Sequence, residues 1–154
     1  MSIIEPGTPV PDFSLARADG ESFTQEDLKG KTTVFVFYPF AFSPVCTDQL
    51  QVYEEALGEL TAQGATLYGV STDATYSQQA FKEKLGVSIE QLSDFEPKGE
   101  TARKFGAYFE TAGMTNRALV IVGPDGVVRW SHLADSPGDL PGVGLLFDGL
   151  GAVA

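Results

Sequence analysis

Apolar residues in this chain come in short blocks whose spacing changes from one block to the next. Thr33 to Tyr38 is an unbroken run of β-branched and aromatic side chains, which predicts a strand covered on both faces. Beyond it Leu50, Tyr53, Leu57 and Leu60 recur at helical spacing, and Gly64 supplies a stop. A proline-punctuated turn joins the two. With Ser43 as N-cap and Pro44 at the first helical position, Cys46 is expected in the opening turn of the helix, where free N–H groups and the helix dipole favour an anion such as a thiolate.

The flanking segments extend this alternation. Pro6, Pro9 and Pro11 make the entry extended, Phe13 to Leu15 predicts a short strand leading to a turn at Asp19-Gly20, and Thr24 caps a brief helical turn that Gly30 closes. Ala65 to Ser71 predicts a second buried strand, so a parallel strand, helix, strand crossover is expected around the cysteine helix. Ser77 to Leu85 predicts a helix capped by Gly86, with Phe81 and Leu85 on its apolar stripe, and Leu92 to Asp94 an edge strand. Glu100 to Phe105 predicts a short helix ending at Gly106. Ala118 to Val122 and Val127 to Trp130 flank Gly123-Pro124-Asp125-Gly126 as a β-hairpin, and Leu145 to Leu150 closes as a helix. The fold class is α/β.

Length and composition narrow the function classes. The 154 residues suit one domain with a sizeable core, spanning 1–154. A net charge of −11 argues against nucleic acid as a partner, because binding it gains from neutralising phosphates with Lys and Arg. The start of the chain has no basic segment followed by an apolar core, and no run approaches the roughly 20 apolar residues of a membrane span, so a cytoplasmic location without membrane contact is expected. Cys46 is the only cysteine and His132 the only histidine, which leaves no zinc cluster of the two types and suggests no cofactor.

Cys46 could simply be a packing thiol, but its place at a strand-to-helix junction favours chemistry. Pro39-x-x-x-Ser43-x-x-Cys46 after an apolar strand resembles the active-site signature of the peroxiredoxins, thiol peroxidases on a thioredoxin-like fold. The resemblance extends to Gly7-Thr8-Pro9-Val10-Pro11-Asp12-Phe13, Tyr68-Gly69-Val70-Ser71-Thr72-Asp73 and Asn116-Arg117-Ala118-Leu119-Val120-Ile121, in the family's order. The nearest subgroups are the single-cysteine alkyl hydroperoxide reductase E type and the bacterioferritin comigratory type. The resemblance implies a thioredoxin-like fold, a central mixed β-sheet flanked by helices, with an N-terminal extension. It further implies that Cys46 attacks hydrogen peroxide or an alkyl hydroperoxide and becomes a sulfenic acid, and that the protein is a homodimer.

By the same resemblance Arg117 lies beside the sulfur, stabilises the thiolate and orients the peroxide, although by residue type alone it is a solvated arginine at a strand start. Ser43 would offer a hydroxyl to a peroxide oxygen and Pro39 would shield the sulfur; singly they are an N-cap and a strand end. Gln49 shares a helical face with Cys46 and could support the network. His132 is expected to be exposed, Trp130 and the phenylalanines at 35, 37, 40 and 42 to be core or interface, and Phe40 and Phe42 to sit in a dimer contact.

Many peroxiredoxins carry a second, resolving cysteine, sometimes five residues past the first; that position is Gln51 here and the chain has no other cysteine, so an external thiol or redoxin is the expected reductant. Two rival readings remain open at this level. Ser43-Pro44-Val45-Cys46 also resembles a thioredoxin motif with its exposed cysteine replaced, which describes a redox-inactive binding module, and Cys46 with His132 as base describes a thiol hydrolase. A cysteine phosphatase is disfavoured by Val52, which occupies the expected arginine position.

Overall fold

The computed structural model describes residues 2–153. In chain order the elements are β1 (Ser14–Ala16), β2 (Ser22–Thr24), a 3-10 turn (Gln25–Leu28), β3 (Thr32–Phe37), α1 (Pro44–Glu55), α2 (Leu57–Ala62), β4 (Ala65–Ser71), α3 (Thr75–Leu85) and β5 (Glu90–Ser93). Then follow α4 (Glu100–Phe105), β6 (Tyr108–Phe109), β7 (Met114–Thr115), β8 (Ala118–Val122), β9 (Val128–Leu133) and α5 (Val143–Val153).

A 7-stranded sheet runs β2-β1-β5-β4-β3-β8-β9, and β6 pairs with β7 apart from it. β3, β4 and β5 are parallel, which fits the crossover read from the sequence, while β8, β9 and β1 pair antiparallel to their neighbours. The sheet is therefore mixed. β3 lies inside the sheet between β4 and β8, and its alternation sorts the core into two layers. Phe35 and Phe37 face a cluster with Phe13, Phe23, Tyr68 and Phe105. Val34, Val36 and Tyr38 face another with Cys46, Leu50, Tyr53, Phe81 and Leu146 from α1, α3 and α5. Burial on both faces is why this strand shows no polar alternation in sequence.

Besides the unexpected strand β2 and the longer β9 and α5, four departures from the expected elements stand out. β5 is not an edge strand: Ala16 of β1 pairs with Ser93, so the N-terminal hairpin extends the sheet beyond β5. The long helix after Cys46 breaks at Ala56, which leaves helical geometry at φ −94° and ψ 0°, yet Tyr53 and Leu60 are both buried on the core side. α3 begins earlier than Ser77, at Thr75. The small β6–β7 hairpin has no counterpart in the apolar pattern, because two-residue strands carry too little periodicity to read.

Candidate active site

The site is built where β3 hands the chain to α1. Tyr38 is fixed at the end of the strand: its N–H donates to the Val70 carbonyl at 3.0 Å and its carbonyl accepts from the Thr115 hydroxyl. Its phenol donates to Gln91 Oε1 at 2.7 Å, and burial, the dominant influence, pushes its pKa up, so it serves as a donor and not as an anion. Pro39 is buried beside it.

Pro44 occupies the first turn of α1 as expected, and Ser43 holds the N-cap position with an extended backbone. The expected side-chain cap is absent. The Ser43 hydroxyl donates instead to the Phe40 carbonyl at 3.1 Å, and no side chain caps α1. Its first-turn N–H groups are thus left open to an incoming acceptor.

Cys46 is 0% exposed and free. The Arg117 guanidinium, only 2% exposed, donates through Nη2 to Cys46 Sγ at 3.1 Å, through Nη1 to Gln49 Oε1 at 2.9 Å and through Nε to the Pro137 carbonyl at 2.5 Å. No carboxylate pairs with Arg117 among the described residues, so the Cys46 sulfur is the ionisable group it hydrogen-bonds. A buried guanidinium without a counter-charge is costly, which makes its hydrogen bond to the sulfur the notable contact of the site.

Tyr53 extends the network. Gln49 Nε2 donates to the Tyr53 oxygen at 3.4 Å, and the Tyr53 hydroxyl donates to the Pro141 carbonyl at 2.6 Å. Burial pushes the Tyr53 pKa up to about 12, although its bond to Gln49 pulls the other way, which keeps the phenol a donor. The loop carrying Pro137 and Pro141 therefore clasps both Arg117 and Tyr53 through backbone carbonyls. Side-chain patterns carry no trace of carbonyl acceptors, so sequence reasoning could not find this loop. Asp73, whose carboxylate accepts from the Ala41 N–H at 2.8 Å, was likewise not singled out, although it ends the Tyr68–Asp73 segment that carries part of the family resemblance.

Other residues named from sequence lie elsewhere. His132 is half-buried, not exposed; it stacks on Trp130 with ring centroids 6.3 Å apart and makes no hydrogen bond to Cys46 among the described residues. Phe35 and Phe37 are core, whereas Phe40 and Phe42 are 42% and 53% exposed beside the turn. A groove of about 390 Å³ between the β1–β2 hairpin and the start of α3, lined by Ser14, Tyr76, Ser93 and Phe95, does not include Cys46. Among the described residues no helix is long and apolar enough to cross a membrane.

Comparison with known proteins gives the family and the fold. The AhpC/TSA family model matches residues 6–131, and the chain belongs to that family, the peroxiredoxins on a thioredoxin-like fold. It is 36% identical to alkyl hydroperoxide reductase C of Amphibacillus xylanus over 84% of this chain and 71% of that protein. It is 27% identical to alkyl hydroperoxide reductase E of Mycobacterium tuberculosis over 96% of each. Among solved structures, Enterococcus faecalis AhpC superposes with a TM-score of 0.85 at 30% identity, over 99% of this chain and 92% of that one.

Proposed function

We propose that this protein is a thiol peroxidase reducing hydrogen peroxide or alkyl hydroperoxides, with Cys46 as the attacking residue and Arg117, Ser43 and Pro39 completing the site. The observation that carries the reading is the buried Arg117 guanidinium 3.1 Å from Cys46 Sγ at the uncapped start of α1, in a chain of the AhpC/TSA family.

The Cys46 thiolate attacks one peroxide oxygen, the O–O bond breaks, and the other oxygen leaves as hydroxide or alkoxide and takes up a proton. The sulfur is oxidised to the sulfenic acid and the peroxide reduced to water or alcohol. Charge moves from sulfur onto oxygen in this step. Arg117, already aligned by Gln49 and Pro137, can follow that charge, and the open N–H groups of α1 face the same region. Pro39 offers no N–H and excludes water at the sulfur without competing as a donor.

The chain holds no second cysteine, so an external thiol or redoxin condenses with the sulfenic acid, releasing water and leaving a mixed disulfide. A second thiol then frees Cys46. A cytoplasmic location fits this cycle, because a reducing compartment supplies the thiol and keeps Cys46 free. Homodimerisation through the turn is supported by the exposure of Phe40 and Phe42.

The test measures peroxide consumption with dithiothreitol beside hydrolysis of a p-nitrophenyl ester. Peroxide reduction that disappears in Cys46→Ser is expected. Ester hydrolysis without peroxide reduction would establish the hydrolase instead, and inactivity in both would favour a binding module.

A further inference from the structure

The turn from Tyr38 to Ser43 delivers Cys46, and its middle is held by packing, with Ala41 against the core and the Phe42 ring 5.2 Å from that of Phe81, but by few hydrogen bonds. Its base is fixed by the two Tyr38 backbone bonds, and its far end folds back on itself, with the Ser43 N–H and hydroxyl both donating to the Phe40 carbonyl at 3.4 and 3.1 Å. Between them Phe42 stands at φ 70°, a left-handed conformation that a bulky residue keeps only when its surroundings impose it. Among the described residues, one hydrogen bond ties that middle to the body of the protein: the Ala41 N–H donates to Asp73 Oδ2 at 2.8 Å.

Asp73 is itself anchored. The Ser71 hydroxyl donates to the same Oδ2 at 2.7 Å, and the Asp73 N–H returns to Ser71 Oγ at 3.3 Å. Gln78 Nε2 donates to Ser71 Oγ at 2.9 Å and to the Leu92 carbonyl at 2.8 Å, and the Ser93 hydroxyl donates to the Asp73 carbonyl at 2.5 Å. Ser71 and Gln78 are both 0% exposed. A chain of bonds from β4, β5 and α3 thus ends on one carboxylate oxygen that grips the turn.

We propose that Asp73 is the positioning residue of the Cys46 turn, holding it in the closed form in which the sulfur is buried against Arg117 and so setting the balance between the two halves of the catalytic cycle. This rests on the thiol-peroxidase reading. The peroxide step needs sulfur, guanidinium and helix start assembled, and a small peroxide needs little space. The thiol step needs the reverse, because Cys46 is 0% exposed and the reductant comes from outside. Releasing the Asp73 grip therefore slows the first half-reaction and speeds the second.

The experiment compares Asp73→Ala with Asp73→Asn, which keeps an oxygen able to accept from Ala41 and Ser71. Three rates are read: single-turnover oxidation of Cys46 by hydrogen peroxide, mixed-disulfide formation between the pre-oxidised enzyme and 2-nitro-5-thiobenzoate, and hydrogen exchange at the Ala41 amide. For Asp73→Ala, oxidation about tenfold slower, thiol condensation about tenfold faster and Ala41 exchange about tenfold faster are expected, the effect of one charge-assisted hydrogen bond. Asp73→Asn should stay within about threefold of wild type, since its amide oxygen still accepts.

Equal changes in the two variants, both half-reactions moving the same way, or no change in either would overturn the proposal. Should Asp73→Ala fail to fold, Ser71→Ala loosens the same carboxylate and is expected to shift the rates in the same opposed directions by about threefold; unshifted rates would overturn the proposal equally. If wild type consumes no peroxide, the peroxidase reading fails. Asp73 is then judged by Ala41 exchange and by iodoacetamide alkylation of the Cys46 thiol: faster in Asp73→Ala supports the positioning role, and unchanged rates overturn it.

Discussion

Two helices of this chain begin beside a buried group able to carry negative charge, and they treat that charge in opposite ways. At α4 the Asp94 carboxyl, 4% exposed, accepts from the Thr101 and Ala102 N–H groups at 3.1 and 2.9 Å, but no cation bonds to it among the described residues. Burial outweighs those bonds and pushes its pKa up to about 6. At α1 the Cys46 sulfur is as deeply buried, but a guanidinium lies 3.1 Å away and no side chain closes the helix start. Helix-start N–H groups alone do not settle whether a buried acid is charged. At α1 a cation is fixed beside the buried group, and an open helix start leaves donors for a substrate.

The largest expected effect on this contrast is the removal of the sulfur itself. Cys46→Ser keeps shape and burial but replaces the nucleophile with a hydroxyl, and peroxide reduction should fall to background while the far-UV circular dichroism is retained. Residual turnover at even a few per cent of wild type would place the reacting group elsewhere.

Removing the cation comes next. Arg117→Met leaves a buried sulfur beside unpaired Gln49 and Pro137 acceptors, a site resembling that of Asp94 in having N–H donors and no cation. The loss of a donor aimed at developing charge predicts a fall of about 10²- to 10³-fold in kcat/KM for peroxide, with Arg117→Lys recovering part of it as a point charge without the fork. A fall below tenfold in folded protein would mean the helix start carries the chemistry unaided.

The opposite end of the comparison is tested by pH. Because the folded state holds the Asp94 proton more tightly than the unfolded chain, this group contributes stability that is fully present below its ordinary value of 3.8 and lost as pH rises through about 6. The gap corresponds to about 3 kcal/mol. Asp94→Asn never ionises, so its stability relative to wild type should improve by up to about 3 kcal/mol between pH 4 and pH 7.5 in urea unfolding, on top of a constant cost for the amide that cannot accept from both N–H groups. A pH-independent difference would remove the burial argument for this carboxyl.

The contrast between these sites also shows what the sequence could carry. β3, β4 and the β8–β9 hairpin were legible because continuous apolar runs bounded by glycine and proline correspond to elements buried on both faces or closed by turns, and α4 because Gly106 stops it. Cys46 and Arg117 were nameable through motif resemblance, and their meeting follows from β3 pairing with β8, which brings Phe37 opposite Ala118. The Pro137 and Pro141 carbonyls left no signal, since every residue has a carbonyl. β5 was misplaced at the edge because its outer neighbour, β1, is three residues long and joins through the single pair Ala16 and Ser93.

Ser43 gives the smallest effect and the finest test. Its hydroxyl proton is committed to the Phe40 carbonyl at 3.1 Å, and the Ser43 N–H reaches the same oxygen, so the turn keeps a backbone bond when the side chain is removed. To assist a peroxide oxygen the hydroxyl must exchange one acceptor for another, and an exchange gains far less than a donor held ready for the transition state. Arg117 is such a held donor, fixed on Gln49 and Pro137 before substrate arrives. Ser43→Ala should therefore lower kcat/KM for peroxide by only about fivefold to tenfold, with KM carrying much of the change, and Ser43→Thr should restore it. A loss matching that of Arg117→Met, carried in kcat, would mean that the hydroxyl leaves Phe40 before the reaction and stands aligned on the peroxide as firmly as the guanidinium does.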